Sequence, residues 1–226
     1  MCLRESRVPL QHITGVQEFH GLEFQVDSRV LIPRPETEGL IEAALGLELP
    51  AAAEAADLGT GSGCLAITLA VRRPGLRLHA LDRSAAALEV ARGNARRHGV
   101  ERRIEFLEGD LADPPPAWRG KMDLVVSNPP YVAEADWAGL EPEVRDHDPK
   151  GALVAGPGGL ESLRSLIPAA HGLLRAGGWL VAEIGLGQAE AVAVLARERG
   201  FAGVELRDDF QRIPRVLLAR KRESDR

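Results

Sequence analysis

The sequence predicts an α/β fold, a doubly wound sheet of seven strands that is mostly parallel with an antiparallel last strand. Three observations carry that expectation. Short apolar runs alternate with helical stretches, the order in which strands and crossover helices build such a sheet. The run Asp57-Leu58-Gly59-Thr60-Gly61-Ser62-Gly63 closes one strand and opens a helix, as a nucleotide-binding turn does. The last two apolar runs, around Val204-Glu205-Leu206 and Val216-Leu217-Leu218-Ala219, leave no room for a helix between them, so they should pair antiparallel.

The 226 residues, 45% of them hydrophobic, suffice for one large domain or one domain with an appendage. We expect a connector and small β-hairpin over residues 1–29 and a catalytic domain over 30–226. No apolar run is long enough to span a bilayer, and Met1-Cys2-Leu3-Arg4-Glu5 lacks the apolar stretch of a signal peptide. Cys2 and Cys64 build no disulfide framework, which points to the reducing cytoplasm. The six histidines are scattered, so no metal is expected. A net charge of −5 argues against direct nucleic-acid binding. The densest basic cluster, Arg92, Arg96, Arg97, Arg102 and Arg103, reads as a solvated helix face.

Taken in order, residues 1–17 read as a connector and residues 19–26 as a hairpin alternating around Gly21. Prolines 33 and 35 hold Arg34 extended, and Glu36 opens a helix to about residue 47. That segment is either a capped helix start or a lid whose Arg34 and Glu36 face the active site. Residues 51–56 are helical by composition, but the glycine run behind them requires a strand. A second strand over 76–82 ends in Asp82, placed to hold ribose hydroxyls or to cap the helix expected over 84–98. A third, over 104–111, ends in Gly109-Asp110-Leu111. Asp110 could accept an adenine amine and Leu111 cover the ring. After the rigid Pro114-Pro115-Pro116 comes a buried strand over 123–127.

That strand is cut off by Asn128-Pro129-Pro130-Tyr131. Paired prolines stiffen the corner. The Asn128 side-chain oxygen and the Pro129 carbonyl could accept both hydrogens of a planar NH2 group, with the Tyr131 ring as a flat support. A polar stretch to Gly159 reads as a lid or substrate-facing insertion. A helix over 160–176 ending at Gly177-Gly178, a strand over 179–184 and a helix over 188–199 complete the alternation.

The glycine run, Asp82 and Asn128-Pro129-Pro130-Tyr131 together resemble the class I S-adenosylmethionine-dependent methyltransferases that act on planar amines or amides. The resemblance implies their Rossmann-like seven-stranded sheet. Ile32-Pro33-Arg34-Pro35-Glu36-Thr37-Glu38 narrows it: from about Pro9 to Ala219 the chain resembles the peptide chain release factor glutamine methyltransferases, the HemK/PrmC family. This implies methyl transfer from S-adenosyl-L-methionine to the amide nitrogen N5 of the glutamine in the Gly-Gly-Gln motif of release factors, leaving S-adenosyl-L-homocysteine. By the same resemblance Asn128, Pro129, Pro130 and Tyr131 hold the reacting amide, with Arg34 and Glu36 on the substrate side. Gly59, Thr60, Gly61, Ser62, Gly63, Asp82, Asp110, Leu111 and Asn128 hold the cofactor.

The expected partner is a ribosome-free release factor, met in the cytoplasm by a monomer acting in translation termination. Two departures stand out. Members of that family usually carry a helical domain before the Pro-Leu-Gln connector, which we expect to be missing here, and Asp148-Pro149 stands where they usually have Glu-Pro. Two other readings remain: methylation of an exocyclic adenine amine in RNA or DNA, which needs a basic channel, and a non-catalytic cofactor-binding scaffold.

Overall fold

The computed structural model describes residues 7–223, so residues 1–6 of the expected connector, with Cys2, lie outside the described residues. The connector is not featureless. It holds a short helix α1 (Leu10–Thr14), stopped by Gly15 at φ 76°. The hairpin strands β1 (Val16–Phe19) and β2 (Leu22–Gln25) pair antiparallel around His20 and Gly21, both at positive φ, so the hairpin starts earlier than its glycine suggested. Its Phe19 and Phe24 are buried, edge to face at 6.1 Å, in the same apolar cluster as the main domain.

A 3-10 turn (Pro35–Thr37) leads into α2 (Glu38–Leu45), the helix expected from Glu36. Then come β3 (Glu54–Leu58), α3 (Cys64–Arg72), β4 (Arg77–Asp82), α4 (Ala85–Arg97) and β5 (Ile104–Glu108). The alanine-rich stretch does form strand β3, where four of five positions are buried; central burial overrides helix propensity. Ser84 caps α4, its Oγ accepting from Ala87 N at 3.1 Å.

Strand β6 (Met122–Ser127) is buried at every position, as expected of a parallel strand covered on both faces. The stretch that follows, expected as a lid or substrate-facing insertion, is folded. It contains β7 (Val132–Ala133), α5 (Pro142–Arg145), α6 (Lys150–Leu153) and β8 (Val154–Gly156), with β7 and β8 paired parallel. Last are α7 (Glu161–Leu173), β9 (Leu174–Glu183), α8 (Ala189–Arg199), β10 (Phe201–Asp208) and β11 (Pro214–Lys221).

Helix α7 ends earlier than its apolar pattern implied. Leu174 already pairs with Met122, and Gly177, at φ 77°, lies in an irregular stretch of β9 before Trp179 pairs with Leu124. The glycines serve that bulge rather than a helix cap.

The seven strands lie in the order β10-β11-β9-β6-β3-β4-β5. Only β11 is reversed, running antiparallel to both β10 and β9. Helices cover both faces. Leu40, Leu65 and Leu69 pack on one side against Leu124, and Leu163, Ile167 and Leu173 on the other against Val125. This order puts the carboxyl ends of β3, β4 and β6 side by side at the middle of the sheet. The chain reverses its direction of winding there, which is where an open α/β sheet leaves a crevice.

Candidate active site

A cavity of about 390 Å³ opens at those strand ends. Its floor is the glycine loop. Gly59, Gly61 and Gly63 have φ of 81°, 55° and 82°, a region that disfavours any side chain. Gly59 N and Thr60 N both donate to Leu81 O, at 2.8 and 2.9 Å, tying the loop to β4. From below, the fully buried Asp57 accepts from Thr60 Oγ1 at 2.6 Å and from Ala66 N at 3.2 Å. Burial pushes its carboxyl up to about 7, while these two donors pull it down. The Cys64 thiol beside it is pushed by burial up to about 12, so it stays a thiol.

Asp82 bridges the loop and the next helix: its Oδ2 accepts from Gly61 N at 2.8 Å and its Oδ1 from Ser84 N at 2.9 Å. It also lines the cavity, and the cap of α4 is Ser84 rather than Asp82, which only holds the Ser84 backbone in place. Gly109, Asp110 and Leu111 line the far end, with Asp110 Oδ1 accepting from Ala112 N at 2.8 Å.

The insertion after Tyr131 supplies the roof, with Pro149, Gly151, Ala152 and Val154 facing the cavity. Arg34 Nη2 meets Asp148 Oδ2 at 2.5 Å, Arg83 Nη2 donates to Gly151 O at 2.9 Å, and Tyr131 N to Leu153 O at 3.2 Å. Among the described residues, no group of three or more His, Cys, Asp or Glu side chains is placed to hold a metal, and no helix is long and apolar enough to cross a membrane.

At the proline corner, Ser127 pairs with Ala182, so the next residues, Asn128 and Glu183, leave adjacent strands side by side. Asn128 Nδ2 donates to Thr37 Oγ1 at 3.1 Å, and the Thr37 hydroxyl donates to Glu183 Oε2 at 2.6 Å. The Tyr131 hydroxyl donates to Glu183 Oε1 at 3.2 Å. Gln188 Nε2 holds the Tyr131 carbonyl at 3.1 Å. Burial raises the pKa of both Glu183 and Tyr131, and each of the charge and the hydrogen bond at Glu183 adds to the rise at Tyr131.

Of the residues singled out in the sequence, Arg34, Gly59, Thr60, Gly61, Ser62, Asp82, Asp110, Leu111, Asn128 and Pro130 line this one cavity. Gly63 lies beneath it, where an added Cβ would sit 2.8 Å from Ile67 Cδ1. Pro129, Tyr131 and Glu36 do not line it. Glu36 is half-buried, and its charge is felt by Glu183. Two members of the corner escaped sequence reasoning. Thr37 stood inside a conspicuous motif whose charged neighbours drew attention. Glu183 hid inside an apolar strand, where an acid in an otherwise buried run was the available signal.

A seven-stranded sheet with one reversed strand and an open crevice at the glycine loop is the class I methyltransferase fold. The catalytic domain of hMettl16, solved with the MAT2A 3′UTR hairpin 6, superposes with a TM-score of 0.70 at 19% identity, covering 91% of this chain and 77% of that one. A putative S-adenosyl-L-methionine-dependent methyltransferase from Methanococcus maripaludis gives 0.55 at 16% identity, covering 84% of this chain and 86% of its own. The family model described as "Methyltransferase small domain" matches residues 40–140.

The release factor glutamine methyltransferase of Geobacter sulfurreducens is 44% identical over 217 residues, 96% of this chain and 75% of that protein. Its counterpart from Chlorobaculum tepidum is 49% identical over 218 residues, 92% of this chain and 73% of that protein. The chain belongs to the release factor glutamine methyltransferase family.

Proposed function

We propose that this chain transfers a methyl group from S-adenosyl-L-methionine to the side-chain amide nitrogen N5 of the glutamine in the Gly-Gly-Gln motif of peptide chain release factors. The observation that carries the reading is the orientation of Asn128. It lines the cavity, its Nδ2 is committed to Thr37, and its Oδ1 has no partner among the described residues and is not sealed from solvent. An acceptor thus faces the space where a primary amide would lie.

The residues present fit the adenosyl cofactor. The glycine loop presents bare backbone, and a Cβ built on Gly59 or Gly61 meets nothing within 4 Å, so their hydrogens leave room for close approach. Gly59, Thr60, Gly61 and Ser62 would hold the methionine part, Asp82 the ribose hydroxyls, and Asp110 with Leu111 the adenine. When bound, the cofactor supplies a methyl group activated at a sulfonium centre.

The neutral amide nitrogen is a weak nucleophile, so the protein's task is positioning and exclusion of water. Asn128 Oδ1 and the Pro129 carbonyl accept the two amide hydrogens and fix the nitrogen lone pair. Both acceptor contacts strengthen as the nitrogen becomes positive, which stabilises the transition state over the ground state. Arg34 flanks the substrate side, while Glu36 and Tyr131, outside the cavity lining, act on the corner through Glu183. The proton leaves after transfer and needs no strong base.

Residues 30–226 form the catalytic domain, preceded by a connector and hairpin over 1–29. The enzyme acts as a cytoplasmic monomer on release factor free of the ribosome, without binding nucleic acid directly.

The test is methyl transfer from radiolabelled cofactor to purified release factor, to its Gln→Ala variant in the Gly-Gly-Gln motif, and to total RNA. Label is expected in the first alone. Label in RNA would instead favour an adenine amine, and binding of cofactor without transfer to any of the three would favour a scaffold.

A further inference from the structure

We propose that Thr37 and Glu183 are positioning residues that set which end of the Asn128 amide faces the substrate, an assignment that rests on the amide-methyltransferase reading above. The two ends of an asparagine side chain differ only in hydrogen-bonding character, and the surrounding network selects between them. With Glu183 ionised, that network has a fixed polarity. Glu183, with 2% of its surface exposed, offers two acceptor oxygens at the end of β9. One takes the Thr37 hydroxyl hydrogen at 2.6 Å and the other the Tyr131 hydroxyl hydrogen at 3.2 Å. A Thr37 hydroxyl that has given its only hydrogen to Glu183 can only accept from Asn128, so Nδ2 must point at it and Oδ1 away, toward the cavity. Reversing the amide would set two acceptors face to face at about the same separation.

The chain's architecture favours this role over plain packing. Thr37 comes from the 3-10 turn between Pro35 and α2, Asn128 from the end of β6 and Glu183 from the end of β9. Three segments distant in sequence converge on one amide, and a buried acid there has no apolar rationale. The flanking charges are Arg215 and Glu36, which act on Glu183 in opposite senses.

Glu183→Gln tests the polarity with nearly the same shape. A glutamine whose oxygen keeps the Tyr131 hydrogen must donate to Thr37, which frees the Thr37 hydrogen for Asn128 Oδ1 and turns Nδ2 to the cavity. Thr37→Val removes the relay, and Thr37→Ser keeps it. With wild-type transfer to release factor as reference, kcat should fall tenfold or more in Glu183→Gln and Thr37→Val. The KM for S-adenosyl-L-methionine and calorimetric binding of S-adenosyl-L-homocysteine should stay within twofold, and Thr37→Ser should return kcat to within threefold of wild type. Two results would overturn the proposal: kcat within twofold of wild type in both disrupting variants, or Thr37→Ser as impaired as Thr37→Val.

A readout without turnover separates this idea from the function it rests on. The side-chain amide protons of Asn128, identified by NMR through their loss in Asn128→Ser, should exchange slowly in wild type and faster in Thr37→Val. Equal exchange overturns the relay even if the protein proves inactive on release factors. Slow exchange that depends on Thr37 supports it whatever the substrate.

Discussion

Arg34 Nη2 lies 2.5 Å from Asp148 Oδ2, and this ion pair joins the proline-flanked segment before α2 to the roof of the cavity. The carboxylate side chain has no exposed surface, whereas a third of the guanidinium side chain remains accessible. His12 Nε2 approaches the other oxygen only to 3.8 Å, and that oxygen has no hydrogen-bond partner among the described residues. Asp148 thus depends chiefly on Arg34.

Arg34→Met keeps the side-chain length but strands the acid. Leaving a buried ionisable group without its partner costs about 1–3 kcal/mol when the group can still take up a proton. We expect thermal or urea denaturation to register a loss of that order. Binding of S-adenosyl-L-homocysteine should weaken several-fold in calorimetry, because the roof residues Pro149 and Gly151 line the cavity. Unchanged cofactor affinity would mean that the roof is held without Arg34.

The same pair makes stability depend on pH with a definite sign. Burial pushes the Asp148 carboxyl up to about 6, with Arg34 and a backbone hydrogen bond at Ile32 pulling the other way. A raised pKa means that the folded state favours the protonated acid. The stabilisation is complete below the usual carboxylate range and is lost as pH rises through about 6. Asp148→Asn has no proton to lose. The unfolding free energy of this variant from urea titration should therefore gain on wild type as pH rises from 4.5 to about 6, by at most about 1.4 kcal/mol per pH unit, and level off by pH 7.5. Asp57, held up to about 7, titrates in both proteins and cancels from the difference. A gap that stays constant across this window would show that Asp148 does not titrate there.

Asn128→Ala removes the acceptor that faces the cavity while leaving the glycine loop intact. We expect kcat to fall by about two to three orders of magnitude, the scale seen when one contact to developing charge is deleted. The dissociation constant of S-adenosyl-L-homocysteine should change less than about threefold, because the loop that holds it keeps its anchors to Leu81 and Asp82. Near-normal turnover would remove Asn128 from the chemistry.

Most of this framework was legible because strong local signals agree with the global fold. The glycine run, Asp82 and the proline corner each fix backbone geometry by their own stereochemistry, and these brought most of their residues to one cavity, Gly63, Pro129 and Tyr131 staying outside its lining. The partners that orient them were hidden for the opposite reason. Thr37 and Glu183 act through tertiary contact: a threonine in a turn and an acid in a strand have no local pattern that announces a hydrogen bond across β6 and β9. The end of α7 was misplaced for a related reason. Leu173 and Leu174, one on each side of the boundary, are both apolar and buried, so the apolar pattern runs through it, and only pairing of Leu174 with Met122 marks it. The insertion's place over the site is legible in the sequence, but its inner structure is not, because its helices, each of four residues, are too short to leave a periodic pattern.

Gly63 separates steric from conformational demands on the loop. At φ 82° any side chain is strained, and an added Cβ would also come within 2.8 Å of Ile67 Cδ1 and 3.2 Å of Ala91 Cβ. Gly120 has a comparable φ of 66°, meets nothing within 4 Å and lies away from the cavity. Gly120→Ala should therefore lose only the conformational part, about 1–2 kcal/mol, with cofactor binding untouched. Gly63→Ala should lose that and roughly 1–3 kcal/mol more from overpacking between α3 and α4. It should also weaken S-adenosyl-L-homocysteine binding, since relief of the contact must shift the loop. Urea denaturation and calorimetry on both variants measure the two effects. Equal losses in the pair would show that the α3–α4 contact tolerates the extra methyl group, and that Gly63 is needed for its backbone angle alone.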